Sequence, residues 1–327
     1  MKIVNRLDLG GPCLRAAFLE DAACFLAVDG RLHVQQGDAR REVLLHDGDV
    51  LSATLKGPEG RRTALLTAGE DGRVVLSGPH GVSTCVASVP NKWVTALAAG
   101  PDDSLAYACG RTVWLQDGAG RAVSRTLDRP LESLRFSRDG RVLAAGLYDG
   151  VTLLSSQSDD TTVLPLKGVP VRLTFSAGDR FLLAATRDAV LHGWRLDTGR
   201  HFRMVGYPRP IASWSWTGDG LWLATDGSAG AVLWPFDGED GPIGSAPHAL
   251  SDRPEGVVSA IACHPVQPWL AVGYADGLMV LESRDGDVRR TLGQASRDPV
   301  TVLEWDAQGA RLAYATSGGP CGVIGMG

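Results

Sequence analysis

Lysine is scarce in this chain: only four of its 32 basic residues are Lys (Lys2, Lys56, Lys92 and Lys167), and the rest are Arg. Acidic residues number 37, which leaves a formal net charge of −5. No basic stripe runs along the sequence. Phosphate neutralisation supplies most non-specific nucleic-acid affinity, so a nucleic-acid partner is not expected. The preference for Arg reads as coding bias rather than as bidentate carboxylate recognition. Paired cysteines are missing too. Cys13, Cys24, Cys85, Cys109, Cys263 and Cys321 lie far apart with no C-x-x-C pair, and several sit in apolar runs such as AACFLAV and LAYACG. They read as buried free thiols of a reduced, cytoplasmic protein rather than a disulfide framework. No apolar run approaches the roughly 18 residues that a membrane span needs. The opening MKIVNRLDLGG lacks the apolar core of a signal peptide. The expectation is a soluble monomer with no membrane contact.

Glycine and proline, in contrast, are abundant, at 41 and 18 residues, and glycine is scattered evenly at about one residue in eight. That is the spacing of turns between short strands, and it argues against helical, collagenous and disordered chains. Within Leu134–Leu154, LRFSRDGRVLAAGLYDGVTLL, an apolar strand meets the turn Ser137–Gly140. A second strand then meets the turn Tyr148-Asp149-Gly150, and a third begins. The unit returns at Leu173–Arg200, Trp214–Gly238 and Ile261–Ser283, with weaker copies starting near Leu14, Leu51, Val94 and Val302. Eight turns between second and third strands, from Asp29-Gly30 to Ser317-Gly318, span 288 residues over seven intervals, a mean of 41. A period of roughly 40–45 residues is that of four-stranded propeller blades.

An all-β propeller of eight blades is therefore expected, with seven as the alternative. The last unit supplies three strands at most, while KIVNRLDL at residues 2–9 has no partner in its own unit. If that segment becomes the outer strand of the closing blade, the ring seam disappears. The expected division of 1–327, one propeller domain, is 1–10 as that outer strand and 299–327 as the closing blade's inner strands. Between them come blades at 11–48, 49–90, 91–130, 131–168, 169–208, 209–253 and 254–298. The Gly/Pro/Asp-rich stretch at 235–254 reads as a loop insertion on one blade.

FSRDGRVLAAGLYDGV (136–151) and LHGWRLDTGR (191–200) resemble the WD40-repeat family, with Trp194 near the Trp position and Asp197-Thr198-Gly199 as the hairpin turn. VLWPFDG and VWLQDG extend the match through Trp234 and Trp114, and the likeness covers essentially the whole chain. The overall pattern also resembles stand-alone bacterial WD40 proteins, some of them associated with metal-handling GTPases of the CobW type. Departures are plain. No unit carries a literal Trp-Asp pair, and His46 in LLHDG is the nearest echo of the Gly-His dipeptide. The family's Asp–His–Ser/Thr–Trp network therefore cannot be complete in any blade. Apolar packing and turn aspartates such as Asp139 and Asp149 are expected to hold the blades instead.

Chemistry is hard to find. No G-x-S-x-G occurs, no glycine cluster leads into a helix, and Gly227-Ser228-Ala229-Gly230 reads as a turn. Cys263 and His264 are the metal candidates, yet strand alternation should point them to opposite faces. His192 and His201 flank one hairpin without standing opposite one another. No catalytic residue, metal or cofactor is expected. The expectation is a non-enzymatic scaffold that binds a protein or peptide on the face made by second-to-third-strand and blade-to-blade loops. Trp93, Tyr148, Arg187, Tyr207, Arg209 and Tyr274 are the candidate contacts, since aromatics and Arg dominate binding hot spots. The alternative is a propeller whose central pocket holds a metal or small ligand, in a metal-homeostasis system.

Overall fold

A computed structural model describes residues 2–57, 62–250, 253 and 256–326. Among them there is no helix, and every sheet has four antiparallel strands. Eight such sheets form the blades of a β-propeller, which settles the count at eight rather than seven. We letter the strands of each blade a to d, outward from the axis. In blade 1 these are Cys13–Leu19, Ala22–Ala27, Arg31–Gln36 and Ala39–Leu44. Seven blades pair four consecutive strands in this way, and the inner strands of blades 2 to 7 are Val50–Lys56, Ala96–Ala99, Leu131–Phe136, Pro170–Phe175, Trp214–Trp216 and Val258–Cys263. The eighth runs Val300–Trp305, Arg311–Thr316, Pro320–Gly325 and then Lys2–Asp8, so the two ends of the chain share one sheet.

Burial explains the sequence pattern of each strand. Strand b is covered on both faces by neighbouring blades, so Ala22–Ala27, Ala64–Gly69 and Phe181–Thr186 are buried throughout and read as continuous apolar or small runs. Strand d lies at the rim, and Ala39–Leu44 is almost wholly exposed. Each junction between adjacent blades holds its own apolar cluster. Leu26, Leu32, Leu55 and Leu65 join blades 1 and 2. Phe18, Phe25, Ala313 and Val323 join blades 8 and 1, and so close the ring. Six further clusters fill the remaining junctions.

The turn aspartates act locally as expected, with one difference. Asp139 accepts a hydrogen bond from the Ser137 hydroxyl at 2.7 Å and another from the Arg141 N–H at 3.0 Å, inside its own turn. Asp149 instead accepts from the Gly168 N–H at 3.2 Å, which ties its b–c turn to the loop leaving strand d. Gly72 shows why some turns demand glycine. Its φ is +75°, and a Cβ there would lie 2.3 Å from the Val89 carbonyl oxygen. In the insertion of blade 6, strand c ends at Pro235 and strand d is the two-residue His248–Ala249. Residues 251, 252 and 254 of the 235–254 stretch lie outside the described residues.

Candidate functional site

Among the described residues, the d–a and b–c loops emerge on one face of the ring. Trp93, in the loop between Ser83–Ser88 and Ala96–Ala99, is 59% exposed, and Tyr148, in the b–c turn of blade 4, is 52% exposed. Arg187 and Arg209 are exposed as well. Arg187 donates to the Glu132 carboxylate at 3.0 Å, so it spans from blade 5 to the inner strand of blade 4. The Arg129 guanidinium lies over the Tyr148 ring at 5.4 Å.

Between blades 4 and 5 the loop face dips into an open cleft of about 430 Å³, walled by Tyr148, Leu166 and Lys167 with Asp149 and Asp188 beside them. The cleft combines an aromatic wall, a cation and two carboxylates, a set that suits a side chain and main chain of a polypeptide. Its residues come from two turns and one d–a loop; Asp149 ties the blade 4 turn to that loop by accepting from the Gly168 N–H, and the Arg187 N–H ties the blade 5 turn to it by donating to the Val169 carbonyl.

One candidate contact is not available on this surface, and another is available only in part. Tyr274 is fully buried (0% exposed), because it ends strand b of blade 7 and does not enter the turn; its ring packs with Leu233, Ile261 and Val280. Its hydroxyl accepts from Arg289 at 2.6 Å. Tyr207 is half-buried, and its hydroxyl serves the blade interior. It accepts from the Trp234 indole N–H at 2.6 Å and lies 2.7 Å from the Thr225 hydroxyl. Burial pushes its phenol up to about 12, against smaller opposing effects of those two bonds.

The strand registers reveal a second polar network. His46 lies in the loop before strand a of blade 2, as Tyr207 lies in the loop before strand a of blade 6. Its Nδ1 donates to Asp71 at 3.0 Å, and its Nε2 stands 2.8 Å from the Thr67 hydroxyl. Burial raises the Asp71 carboxyl, but the His46 hydrogen bond and two backbone N–H bonds outweigh it and hold the pKa below the usual range. The position of Trp234 is taken in blade 2 by Ser77 and in blade 5 by Trp194. Trp114 lies elsewhere: it pairs with Tyr107 and stacks on it at 5.2 Å, two residues earlier in its strand than the other two Trp.

The metal candidates are engaged by the fold. Cys263 is buried, and burial pushes its thiol up to about 12. His264 is buried as well, with Nδ1 accepting from the N–H groups of Val266 and Gln267 and Nε2 donating to the Gly309 carbonyl at 3.2 Å. With both ring nitrogens bonded, neither has a lone pair for a metal ion. No group of three or more metal-ligating side chains occurs among the described residues.

The histidines of blade 5 do meet. In register His192 faces Arg203 and His201 faces Trp194, yet the two rings touch diagonally, with His192 Nδ1 3.0 Å from His201 Nε2. Burial, followed by the charges of His201 and Arg203, lowers His192 to about 4. His201 is lowered by burial and Arg203, which keeps the pair neutral near pH 7.

No protein-family model matches the chain, and no curated protein matches it. Among solved structures it is similar to the crystal structure of the computationally designed Ika8 protein, at 17% identity with a TM-score of 0.78 over 100% of both chains. At that identity the likeness bears on the fold alone. Among the described residues no helix is long and apolar enough to cross a membrane.

Proposed function

We propose that this chain is a WD40-like interaction scaffold that receives a protein or peptide segment on its loop face, with the cleft between blades 4 and 5 as the anchor point. The observation that carries this reading is the exposed Tyr148 at the cleft wall, backed by Arg129 and flanked by Lys167, Asp149 and Asp188. An exposed aromatic held in place by a cation presents apolar area at little entropic cost, which is how interface anchors work. The His46–Thr67–Asp71 network supports the WD40 part of the reading, since it supplies three of that family's four network residues in one blade. Six free cysteines fit a reducing cytoplasm, and the reading includes a monomer there.

The test is affinity capture from the native host with wild type, Tyr148→Ala and Trp93→Ala. A protein retained by wild type and lost from the Tyr148→Ala column, then reconstituted from purified components with at least tenfold weaker binding to the variant, is the expected result. Equal binding of that protein to wild type and to both variants removes the loop face as the site.

A further inference from the structure

The inner strands of six blades share one irregularity, a bulge after their first residue, which sets a common register around the axis. Just past the bulge stand Arg15 in blade 1 and Arg172 in blade 5. Two residues further stand Arg135 in blade 4 and Glu304 in blade 8. The remaining positions of these two layers in the six strands are Ser, Thr, Ala or Val. The long charged side chains thus form two pairs, each four blades apart in a ring of eight, on opposite sides of the axis.

Arg15 and Arg172 stand on inner strands on opposite sides of that axis, and the charge of Arg15 bears on Arg172. Arg172 is solvent-exposed on an innermost strand, so its side chain stands in the channel. Among the described residues it makes no hydrogen bond or ion pair. Arg15 has one acidic neighbour, with its Nη2 3.6 Å from Glu304 Oε2, and Arg62 also acts on Glu304. Asp226, 2% exposed in blade 6, is the other carboxyl within reach of Arg172. Burial raises both carboxyls, opposed at Glu304 by Arg15 and Arg62 and at Asp226 by backbone hydrogen bonds from Ser213 and Ala212 and then by Arg172, and Asp226 reaches about 7. In these two layers three cations, Arg15, Arg172 and Arg135, stand against one carboxyl, Glu304, an excess of positive charge around the axis of a chain whose net charge is −5.

We propose that the central channel is a binding site for a small molecule bearing a phosphate or carboxylate group, held between Arg15 and Arg172. Guanidinium forks match both oxyanions bidentately, and an anion between the two turns a repulsion into two charge-assisted contacts. Confinement by the inner strands strengthens those contacts relative to the open surface. This site is separate from the loop-face cleft and does not depend on how that cleft is used.

Binding is tested by calorimetry and thermal melts in a zwitterionic buffer, with inorganic phosphate and succinate as probes and sodium chloride at matched ionic strength as the control. Wild type should bind one or both probes with a rise in melting temperature that chloride does not give. Phosphate alone or succinate alone then identifies which oxyanion the channel takes. Arg172→Met and Arg15→Met should weaken binding at least about tenfold. Arg121→Ala, at an exposed rim turn, should bind as wild type does. Without probe, Arg172→Met should melt no lower than wild type, because it removes a repulsion. Wild type binding neither probe above the chloride control, a folded Arg172→Met that binds undiminished, or an Arg172→Met that melts well below wild type each overturns the proposal.

Discussion

His192 and Asp226 are both buried, and they pull the pH dependence of stability in opposite directions. His192 titrates at about 4 in the fold against 6.5 for a free imidazole, so the unfolded chain takes the proton first. Its contribution is complete above pH 6.5 and is lost as pH falls towards 4, about 3 kcal/mol in all. Asp226 titrates at about 7 against 3.8, so the fold keeps a proton that the unfolded chain releases. Its contribution is lost as pH rises from about 4 to 7, about 4 kcal/mol by the same linkage. In wild type the two slopes offset one another across that window. Asp226→Asn should therefore be more stable than wild type at pH 7, and it should expose the histidine slope below pH 6.5. Urea unfolding at pH 7, 5.5 and 4.5 measures both. If Asp226→Asn and Asp226→Asn/His192→Gln show the same profile between pH 6.5 and 4, the histidine assignment fails. Neither group was legible in the sequence. His192 and His201 meet only through a diagonal set by the hairpin register, and Asp226 looks like any Asp-Gly turn until its Oδ1 is seen accepting from the Ala212 N–H. Tyr274 misled for a related reason. A one-residue difference in where strand b ends decides whether a side chain meets solvent or the core.

At the scale of strands and turns, the sequence carried most of the fold, because two-sided burial of strand b and tight turns write themselves as apolar runs punctuated by Asp-Gly. What it hid is how two blades share out one kind of polar network. Blade 2 has His46, Thr67 and Asp71 with Ser77 at the Trp position; blade 6 has Tyr207, Thr225 and Trp234. The tyrosine substitutes for histidine because a hydroxyl can accept from the indole and also bond the threonine. Blade 5 has Trp194 in register but Ala184 at the threonine position, and the buried Trp194 indole N–H finds no partner. Tyr207→Phe is the direct test of the blade 6 arrangement. It keeps the ring and removes the hydroxyl, leaving the Trp234 N–H without its acceptor, at a cost of about 2 kcal/mol in denaturant unfolding. A side chain used only for surface contact would change stability by less than about 0.5 kcal/mol.

For the molecule as a whole, closure is a matter of one strand. The eight apolar junctions make every blade pack on both neighbours, so an incomplete eighth sheet should weaken the whole ring. Its outer strand, Lys2–Asp8, pairs with Pro320–Gly325 over Lys2–Gly325 through Asp8–Pro320, and the Leu9 N–H adds a bond to the Gly319 carbonyl at 3.2 Å. The periodicity made this pairing legible, since only the last unit lacked a fourth strand and only the first segment lacked a sheet. The partner stayed hidden because the loop face is composite: Trp93, Tyr148 and Asp188 belong to separate repeats, and no local motif joins them. Removing residues 1–9 tests the closure. The strand Pro320–Gly325 would then present unpaired N–H and C=O groups along most of its length, an edge that recruits another chain. The shortened chain should melt lower than the full one and elute as dimers or larger species at concentrations where the full chain runs as a single smaller peak. Adding the nine-residue peptide back in excess should restore both properties, because the edge it fills is specific in register. A shortened chain that stays at the full chain's oligomeric state and melting temperature would mean that the apolar junctions alone hold the ring, with the terminal strand a passive cover.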